Sequence, residues 1–432
     1  MTERKLHLNV NVTSSGRHAA SWRVQEDPLG FLDLDYFEKI GRTAERGLLD
    51  AVFFSDGYDY AGAVRPWQSL DPIIPLTAIA RVTEHVGLVA TVSSSFDHPY
   101  NIARKIASLD YASGGRVAWN VVGTRSDSAA QLFGQDGVAS HDERYGRAEE
   151  SVRVVKALWN SWERGALVAD QASGKFADLS RIHPIDFEGK YFRVRGALNV
   201  PRSPQGNPVL LQAGGSPQGI DLAARHADAV FTVNHTLPAA QEFYRTIKSR
   251  ASTYGREPES ILVLPGLLPI IGSTENEAKR RKDWLDEVAG FDTEIESLSR
   301  TLGLDPGHLE LDRRLPWDRI DAAAARSTSS QGFTSAILTL AREEDLTVRE
   351  LLRRNPNGHR VVVGTPEQIA DTIEEWFRAG AADGFNLNAD FFNSGLELTV
   401  DHLIPELQRR GLFRRDYEST TLRGNLGLRS PF

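Results

Sequence analysis

The chain has no cysteine and only one methionine among its 432 residues. Without cysteine there can be no disulfide, iron–sulfur cluster, thiolate zinc site or cysteine nucleophile. No apolar run approaches the roughly 20 residues that a membrane-spanning helix needs. The first residues, MTERKLHLNV, lack the apolar centre of a secretory signal peptide. We therefore expect a cytoplasmic protein that does not enter a membrane.

The chain also has no excess of positive charge. Its 58 aspartates and glutamates outnumber its 50 lysines and arginines, which gives a net charge of −8. This balance argues against a nucleic-acid partner. The histidines are scattered, with no HExxH motif and no close histidine–carboxylate cluster, so no metal site is predicted. What the chain does contain is 41% apolar residues, which is enough for a large core.

Short apolar runs alternate with helix-like segments along the chain. Eight runs are typical of buried parallel strands, at 6–12, 51–55, 86–92, 116–122, 208–212, 229–233, within 261–271, and at 384–388. Helix-like segments between them include 33–46, 70–83, 99–112 and 237–254. Eight such units predict an α/β fold in which the strands close into a (β/α)8 TIM barrel. A doubly wound open sheet is the alternative, and the lack of any antiparallel signal favours closure.

Two connections are too long for plain barrel loops. We interpret residues 164–207 and 274–359 as insertions, after strands 4 and 7, within a single domain of residues 1–432. The first contains FEGKYFRVRG, residues 187–196, which alternates as a strand or hairpin does, and the second is helical and charged. Long insertions usually act as lids or binding elements. We expect both to leave the carboxyl ends of strands, where barrel active sites lie; oligomer contacts are the alternative role.

The segment PVLLQAGGSPQGIDLAARHADAVF, residues 208–231, has the pattern of a strand, a glycine turn, a helix and a second strand. Gly214 and Gly215 permit a tight turn and a close approach of the backbone to a ligand. Ser216 is a favoured N-cap, and Pro217 suits the first helical position. The free amides and the dipole at such a helix start form an anion site. The simpler interpretation is that Ser216 only caps its own helix.

A second informative segment is ASHDERYGRAEESVRVVKALWNSWE, residues 139–163. Ser140 and Glu143 predict a capping box, which places His141 and Tyr145 in the first two turns of a helix. The apolar positions 148, 152, 155 and 159 continue one face that packs on the barrel. His141 and Tyr145 would extend this stripe to the barrel mouth, where they could contact a ligand. The alternative is a buried histidine that satisfies local hydrogen bonds.

Polar side chains follow several predicted strands on the same face. Asp56 follows the second strand, where a carboxylate needs hydrogen bonds or a ligand donor. Asn120 interrupts the apolar fourth strand. The third strand ends in hydroxyl groups, those of Thr91, Ser93, Ser94 and Ser95. Neutral hydrogen-bonding groups along one rim are what a polar heterocyclic cofactor requires.

The chain resembles the bacterial-luciferase-like flavin monooxygenases, specifically their nitrilotriacetate and dibenzothiophene-sulfone monooxygenase branch. The resemblance covers nearly the whole length. The motifs that carry it are GRHAASWR (16–23), FFSD (53–56), NIARKIASLDYASGGRVAWNVV (101–122), HDERYGRA (141–148), VPRSPQGNPVLLQAGGSPQG (200–219), ADAVF (227–231), GTPEQIADTI (364–373) and DGFNL (383–387).

The resemblance implies a class C two-component flavin-dependent monooxygenase. Such a protein would receive FMNH2 from a separate NAD(P)H:flavin reductase, activate O2 as a flavin peroxide and oxygenate a small organic substrate, as a homodimer or homotetramer. Its insertions would keep water from the flavin adduct. His18 and His141 would be catalytic. The flavin would contact Asp56, Thr91, Ser93, Ser94, Ser95, Asn120, His141, Tyr145, Ala213, Gly214, Gly215 and Ser216, with its phosphate near Tyr145, Gly215 and Ser216.

Two other functions remain open. A deazaflavin-dependent dehydrogenase of the same superfamily would keep the fold and transfer a hydride. A non-oxygenase barrel would be either a phosphate-substrate lyase or a flavin-binding protein without turnover. The sequence has no GxGxxG after a strand with an acidic residue about twenty positions on, so we predict no nicotinamide site of the Rossmann type.

Overall fold

The computed structural model of the protein describes residues 4–58, 70–324, 331–354 and 358–429. Thirteen strands lie in this part of the chain: β1 His7–Val12, β2 Ala51–Phe54, β3 Gly87–Ser93, β4 Val117–Val122, β5 Leu167–Asp170, β6 Lys175–Ala177, β7 Ile185–Glu188, β8 Arg193–Gly196, β9 Val209–Ala213, β10 Ala229–Thr232, β11 Leu262–Ile271, β12 Arg360–Gly364 and β13 Gly384–Asn388. Each of the eight predicted strands is present, within one or two residues at either end.

The described helices are α1 Ser21–Val24, α2 Leu34–Arg46, α3 Ile73–Val82, α4 Pro99–Ala112, α5 Asp127–Leu132, α6 His141–Trp159, α7 Pro217–His226, α8 Leu237–Thr253, α9 Glu275–Ala289, α10 Asp292–Leu302, α11 Trp317–Ala324, α12 Gln331–Glu343, α13 Val348–Arg354, α14 Pro366–Arg378, α15 Ile404–Arg409 and α16 Leu422–Asn425. Two π-helical segments, Phe392–Leu396 and Thr399–Leu403, precede α15. None of the helices described here is both long and apolar enough to cross a membrane.

Eight strands close into a barrel in which every pairing is parallel: β1, β2, β3, β4, β9, β10, β11 and β13, in that order around the ring. The ring closes where β1 pairs with β13, with Asn11 opposite Asn388. The predicted TIM barrel is therefore confirmed, and the open-sheet alternative is wrong. Parallel strands need crossover connections, and helices such as α2, α4 and α7 supply them.

The interior of the barrel changes from apolar to polar toward the carboxyl ends of its strands. Lower in the barrel, inward side chains such as Phe53, Val89 and Ala118 form one apolar cluster, which leucines of the α16 region extend. Since alternate strand residues face the same side, Thr91 and Asn120 point inward one layer higher. There the Asn120 amide donates to the Thr91 hydroxyl at 2.9 Å. This upper layer places hydrogen-bonding groups at the end of the barrel where sites form.

Strand β11 is longer than its neighbours and pairs beyond the barrel. Its first residues, Leu262–Pro265, pair with β10, and Leu267–Ile271 pair with β12. The sequence patterns did not predict β12, because a five-residue apolar run beside a helical insertion carries no strand-specific period. His359, just before β12, stacks on Phe231 at 5.5 Å. A Cβ on Gly266 would lie 2.2 Å from His359 Nδ1, so this packing requires glycine.

The first insertion does not leave the carboxyl end of a strand, which corrects our expectation. Helix α6 carries the chain back to the amino end of the barrel before residues 164–207 begin. There the Gln205 amide donates to the carbonyl of Val117, the first residue of β4, at 2.8 Å. The predicted hairpin is present as β7–β8, and it lies along α6, where amides of Lys190 and Tyr191 donate to the Glu150 carboxylate at 2.8 and 2.9 Å.

The second insertion does begin at the carboxyl end of a strand. It follows β11 and contains helices α9 to α13, as its helical pattern predicts. Residues 325–330 and 355–357 of this insertion lie outside the described residues. Helix α12 reaches across the barrel mouth, where Ser335, Ala336 and Thr339 form one wall of a cavity. A covering role is therefore open to this insertion.

Candidate active site

A cavity of about 490 Å³ opens at the carboxyl ends of β4, β9 and β10. The starts of α6, α7 and α8 border it, and α12 lies across it. Four of the predicted site residues line it, namely Tyr145, Ala213, Gly214 and Gly215. This volume lies within the range of small-molecule and cofactor sites.

The start of α7 is built as the sequence predicts. The Ser216 hydroxyl accepts a hydrogen bond from the Gly219 amide at 3.1 Å, and Pro217 occupies the first helical position. The Ser216 hydroxyl also donates to the Tyr145 hydroxyl at 3.2 Å. A Cβ on Gly219 would lie 2.9 Å from that Tyr145 oxygen, so the close approach of α6 and α7 needs a glycine. Ser216 thus caps its own helix and also faces α6.

Two arginines that the sequence analysis missed stand beside this helix start. Arg125 and Arg144 both line the cavity. Burial lowers the pKa of Arg144, and the nearby charge of Arg125 lowers it further. Neither arginine forms an ion pair with any described residue within 4.0 Å. Arg144 is buried, where a cation is costly without a counter-charge, whereas Arg125 is exposed at the edge of the cavity. Together with the α7 dipole, they make this end of the cavity a site for an anion.

A family model described as luciferase-like monooxygenase matches residues 10–383 of the chain. The chain belongs to the luciferase-like monooxygenase family. It is an oxidoreductase of the monooxygenase type, as its relatives are.

Two curated relatives of this luciferase-like monooxygenase match over almost their whole lengths. The N-acetyl-S-(2-succino)cysteine monooxygenase of Bacillus subtilis (strain 168) is 40% identical, over 100% of this chain and 99% of the relative. The nitrilotriacetate monooxygenase component A of Aminobacter aminovorans is 41% identical, over 99% and 97%. Among solved structures, a riboflavin lyase with modified FMN and riboflavin is similar with a TM-score of 0.86 and 31% identity, over 99% of this chain and 97% of that one.

His141 and Tyr145 head the buried stripe of α6, as predicted. Ser140 accepts from the Glu143 amide at 3.3 Å, and the helix begins at His141. The two rings lie 4.8 Å apart. The His141 side chain is 35% exposed, so it is not a buried histidine with satisfied local bonds. It lies next to the cavity lining rather than within it.

The other predicted rim residues lie at the ends of β2, β3 and β4, outside the cavity lining. Hydroxyls at the end of β3 bond to the end of β4 and the loop after it. The Ser93 and Thr124 hydroxyls lie 2.8 Å apart, and the Ser94 hydroxyl donates to the Val122 carbonyl at 2.9 Å. The Ser95 hydroxyl accepts from the Thr124 amide at 3.0 Å. Each of these three serines already has a local partner, so a flavin contact through them stays a prediction.

Asp56 has the electrostatics of a functional carboxyl group. Burial raises its pKa to about 6, the Gly57 amide opposes this rise, and the charges of Asp71 and Asp97 add to it. A carboxyl group with such a pKa exchanges its proton near neutral pH. Asn120 keeps its Oδ1 buried with no hydrogen-bond partner among the described residues. Both positions are therefore suited to a ligand that donates a hydrogen bond.

The structure places His18 away from the cavity. Its ring is fully buried, Nδ1 accepts from the Ala20 amide at 3.2 Å, and Nε2 lies 3.1 Å from Asp286 Oδ1. Lys282 also bonds to Asp286, at 2.6 Å. Both ring nitrogens are therefore engaged, and they tie the loop after β1 to α9. The catalytic role of His18 stays a prediction, and this geometry offers it a positioning role.

No group of three or more metal-ligating side chains occurs within the ranges that the structure describes. Gln212, His235 and Thr236 also line the cavity, although they were not among the predicted site residues. Gln212 had a signal, because it is a polar residue inside an otherwise apolar strand. His235 and Thr236 had none, since polar residues after a strand are common in any barrel.

Proposed function

We propose that this monooxygenase is the FMNH2-dependent oxygenase of a two-component system that acts on a small organic substrate. The observation that carries the proposal is the set of groups at the start of α7: the Ser216 and Tyr145 hydroxyls, the Gly215 turn, and two arginines without an ion pair to any described residue, Arg125 and Arg144. A flavin phosphate satisfies the helix amides and both guanidinium groups at once. The FMN in the structure of the similar riboflavin lyase adds support.

The remaining predicted residues would hold the rest of the cofactor. The flavin ring would extend from the α7 start toward the ends of β4, β3 and β2, where Asn120, Thr91 and Asp56 offer hydrogen bonds. His141, one turn before Tyr145 on α6, would contact the flavin and act in catalysis. When bound, reduced FMN supplies the electrons with which O2 is activated. The protein would hold it in place and exclude water, and α12 is suited to the second task because it covers the cavity.

The partner in this proposal is a separate NAD(P)H:flavin reductase. A relative named component A belongs to a system with more than one component, which supports the division of labour. The sequence motif for a nicotinamide site is also missing. We keep the homodimer or homotetramer and the cytoplasmic location as predictions.

The test combines the purified protein with NADH, NADPH and oxidised FMN. We expect almost no oxidation of the nicotinamide until a reductase that releases free FMNH2 is added, and then oxygen consumption that depends on both proteins. A parallel titration compares FMN with a deazaflavin by fluorescence, and FMN should bind more tightly. Rapid NADH or NADPH oxidation by the isolated protein would contradict the two-component assignment, and preference for the deazaflavin would favour a dehydrogenase.

A further inference from the structure

The motif at residues 16–23 packs against the loop that follows β13. The His18 amide donates to the Asp390 carbonyl at 3.1 Å. Gly16 has a φ of +135°, and a Cβ there would lie 2.5 Å from that carbonyl oxygen and from Phe391 Cα, so the contact requires glycine. Both segments leave the carboxyl ends of their strands. Residues 16–23 and 390–391 therefore form one platform beside the barrel mouth.

Helix α9, the first helix of the second insertion, is fixed to this platform by charged and apolar contacts. The Arg281 guanidinium donates to both carboxylate oxygens of Asp390, at 2.6 and 3.1 Å. Leu285 is fully buried in a small apolar cluster with Ala20 and Phe391. The platform therefore supports the base of the insertion.

Asp286 is the point where α9 meets both His18 and the last helix of the insertion. His18 Nε2 lies 3.1 Å from Asp286 Oδ1, and Lys282 Nζ donates to both carboxylate oxygens at 2.6 Å. Arg353 of α13 lies 3.9 Å from Asp286 Oδ2. Burial opposes the charge of Asp286, but the His18 hydrogen bond and the Lys282 charge outweigh burial and lower the pKa of Asp286. One carboxylate thus joins the loop after β1 to both ends of the insertion.

Helices α10 to α13, between these two ends, have an apolar core of their own. Each helix contributes to it, through residues such as Leu302, Ile320, Leu340 and Leu351. We call these four helices the cover, because α12 forms a wall of the cavity. A unit with a separate core can open without unfolding the rest of the protein. The contacts at its base then determine how often it opens.

His18 uses both ring nitrogens at this base. Nδ1 accepts from the Ala20 amide at 3.2 Å, so the ring hydrogen is on Nε2, which donates to Asp286. We propose that His18 is a positioning residue, which keeps the cover closed over the cavity by donating this hydrogen bond to Asp286. His18 then acts on the reaction through the cover, without contact with the flavin or the substrate. The inference rests on the proposed function, because it takes the covered cavity as the flavin site.

Two substitutions of His18 test the proposal, because each keeps one of its two hydrogen bonds. His18→Gln places an amide donor near the Nε2 position and can still reach Asp286, whereas His18→Asn replaces only Nδ1. Hydrogen–deuterium exchange of the full-length protein, measured by mass spectrometry, should be roughly tenfold or more faster in α12 of His18→Asn than in wild type. In His18→Gln the exchange of α12 should equal that of wild type. The amides of β3 and β4 should exchange as in wild type in both variants.

The matched control is His7→Gln. His7 Nδ1 lies 3.1 Å from Asp50 Oδ1 at the first residue of β1, so this variant loses a histidine–aspartate contact of the same length at the other end of the barrel. Its α12 should exchange as in wild type. Faster exchange of α12 in both His18 variants, or in neither, would overturn the proposal. Equally faster exchange in β3 and β4 of His18→Asn would also overturn it, because His18 would then stabilise the whole barrel.

The exchange is measured without flavin, so that the result is independent of the proposed function. Oxidised FMN is then added, and its release after dilution is followed by fluorescence. Release should be roughly tenfold faster from His18→Asn than from His18→Gln, because a cover that opens more often releases the flavin sooner. Equal release from the two variants would overturn the placement of the cover over the flavin. If wild type binds no FMN, the proposed function is wrong, and the exchange comparison still decides whether His18 holds the cover.

Discussion

The hydroxyl groups of Tyr145 and Ser216 lie 3.2 Å apart, although the two residues are 71 positions apart in the chain. This contact joins the second turn of α6 to the N-cap of α7. Helix starts carry partial positive charge. The Tyr145 and Ser216 hydroxyls therefore lie where an anion is favoured, close to the starts of two helices. Arg125 and Arg144 add full positive charges to this position.

Ser216→Asp should abolish FMN binding while the protein stays folded. Aspartate is as good an N-cap as serine, so α7 keeps its cap. Its charge would oppose the flavin phosphate, and such a desolvated contact costs several kcal/mol, or roughly a hundredfold or more in affinity. FMN fluorescence titration measures the loss, and circular dichroism checks the fold. Thr274→Asp serves as the control at another N-cap, and unchanged FMN affinity in Ser216→Asp would rule out the phosphate assignment.

Arg125→Gln should weaken FMN binding without affecting riboflavin. The substitution removes one positive charge beside the proposed phosphate, and a charge-assisted hydrogen bond contributes roughly 1.5–3 kcal/mol. Riboflavin lacks the phosphate, so its affinity should be the same in wild type and variant. Two fluorescence titrations per protein give the comparison. An equal loss for both ligands would mean that Arg125 shapes the cavity rather than binding the phosphate.

His141→Ala and Tyr145→Phe should each weaken FMN binding or oxygenation with little change in melting temperature. His141 is partly exposed, and Tyr145→Phe removes one hydroxyl that bonds to Ser216, so each fold should lose no more than about 1 kcal/mol. Differential scanning fluorimetry and FMN titration separate the two effects. A large drop in melting temperature with FMN affinity intact would show that these residues are structural.

Asp56→Asn should make the protein more stable at pH 8 than wild type and equally stable near pH 3. Burial raises the pKa of Asp56 to about 6, above its value of 3.8 in an unfolded chain. A raised pKa means that the protonated carboxyl group stabilises the fold below pH 4, and that this contribution is lost as the pH rises through 6. Melting temperatures of both proteins between pH 3 and pH 8 test this.

The control for the Asp56 prediction is Asp283→Asn, on the exposed face of α9. This variant should follow the wild-type pH dependence. If Asp56→Asn shows the same pH profile as wild type, the pKa of Asp56 is not raised by its burial, and the prediction is wrong.

The barrel could be predicted from the sequence because each unit repeats the same local physics. Strands buried on both faces are short apolar runs, and amphipathic helices separate them. The starts of α6 and α7 could be predicted because serine, a favoured N-cap residue, stands before each helix, as Ser140 and Ser216. Strand β12 was not predicted, because its five-residue apolar run beside a helical insertion has no strand-specific period.

The site was predicted only in part, since contacts between distant segments decide which polar groups meet. Arg144 adjoins Tyr145 in sequence, but an arginine on a helix is usually a solvated surface residue. Only the packing of α6 against the loop after β4 turns it toward the cavity with Arg125. Likewise, the glycine turn at 214–215 can be recognised in the sequence. His235, however, reaches the cavity only because the closed barrel brings the start of α8 to it.

The route of α6 has a practical consequence for engineering. Because it returns the chain to the amino end of the barrel, the β5–β6 hairpin stands opposite the mouth that α12 covers. All four residues of β5 are exposed, as are Phe176 and Leu179. The hairpin is therefore a natural place to attach an affinity tag, a surface anchor or a tethered electron donor. A fusion made there would leave the cavity and its cover untouched.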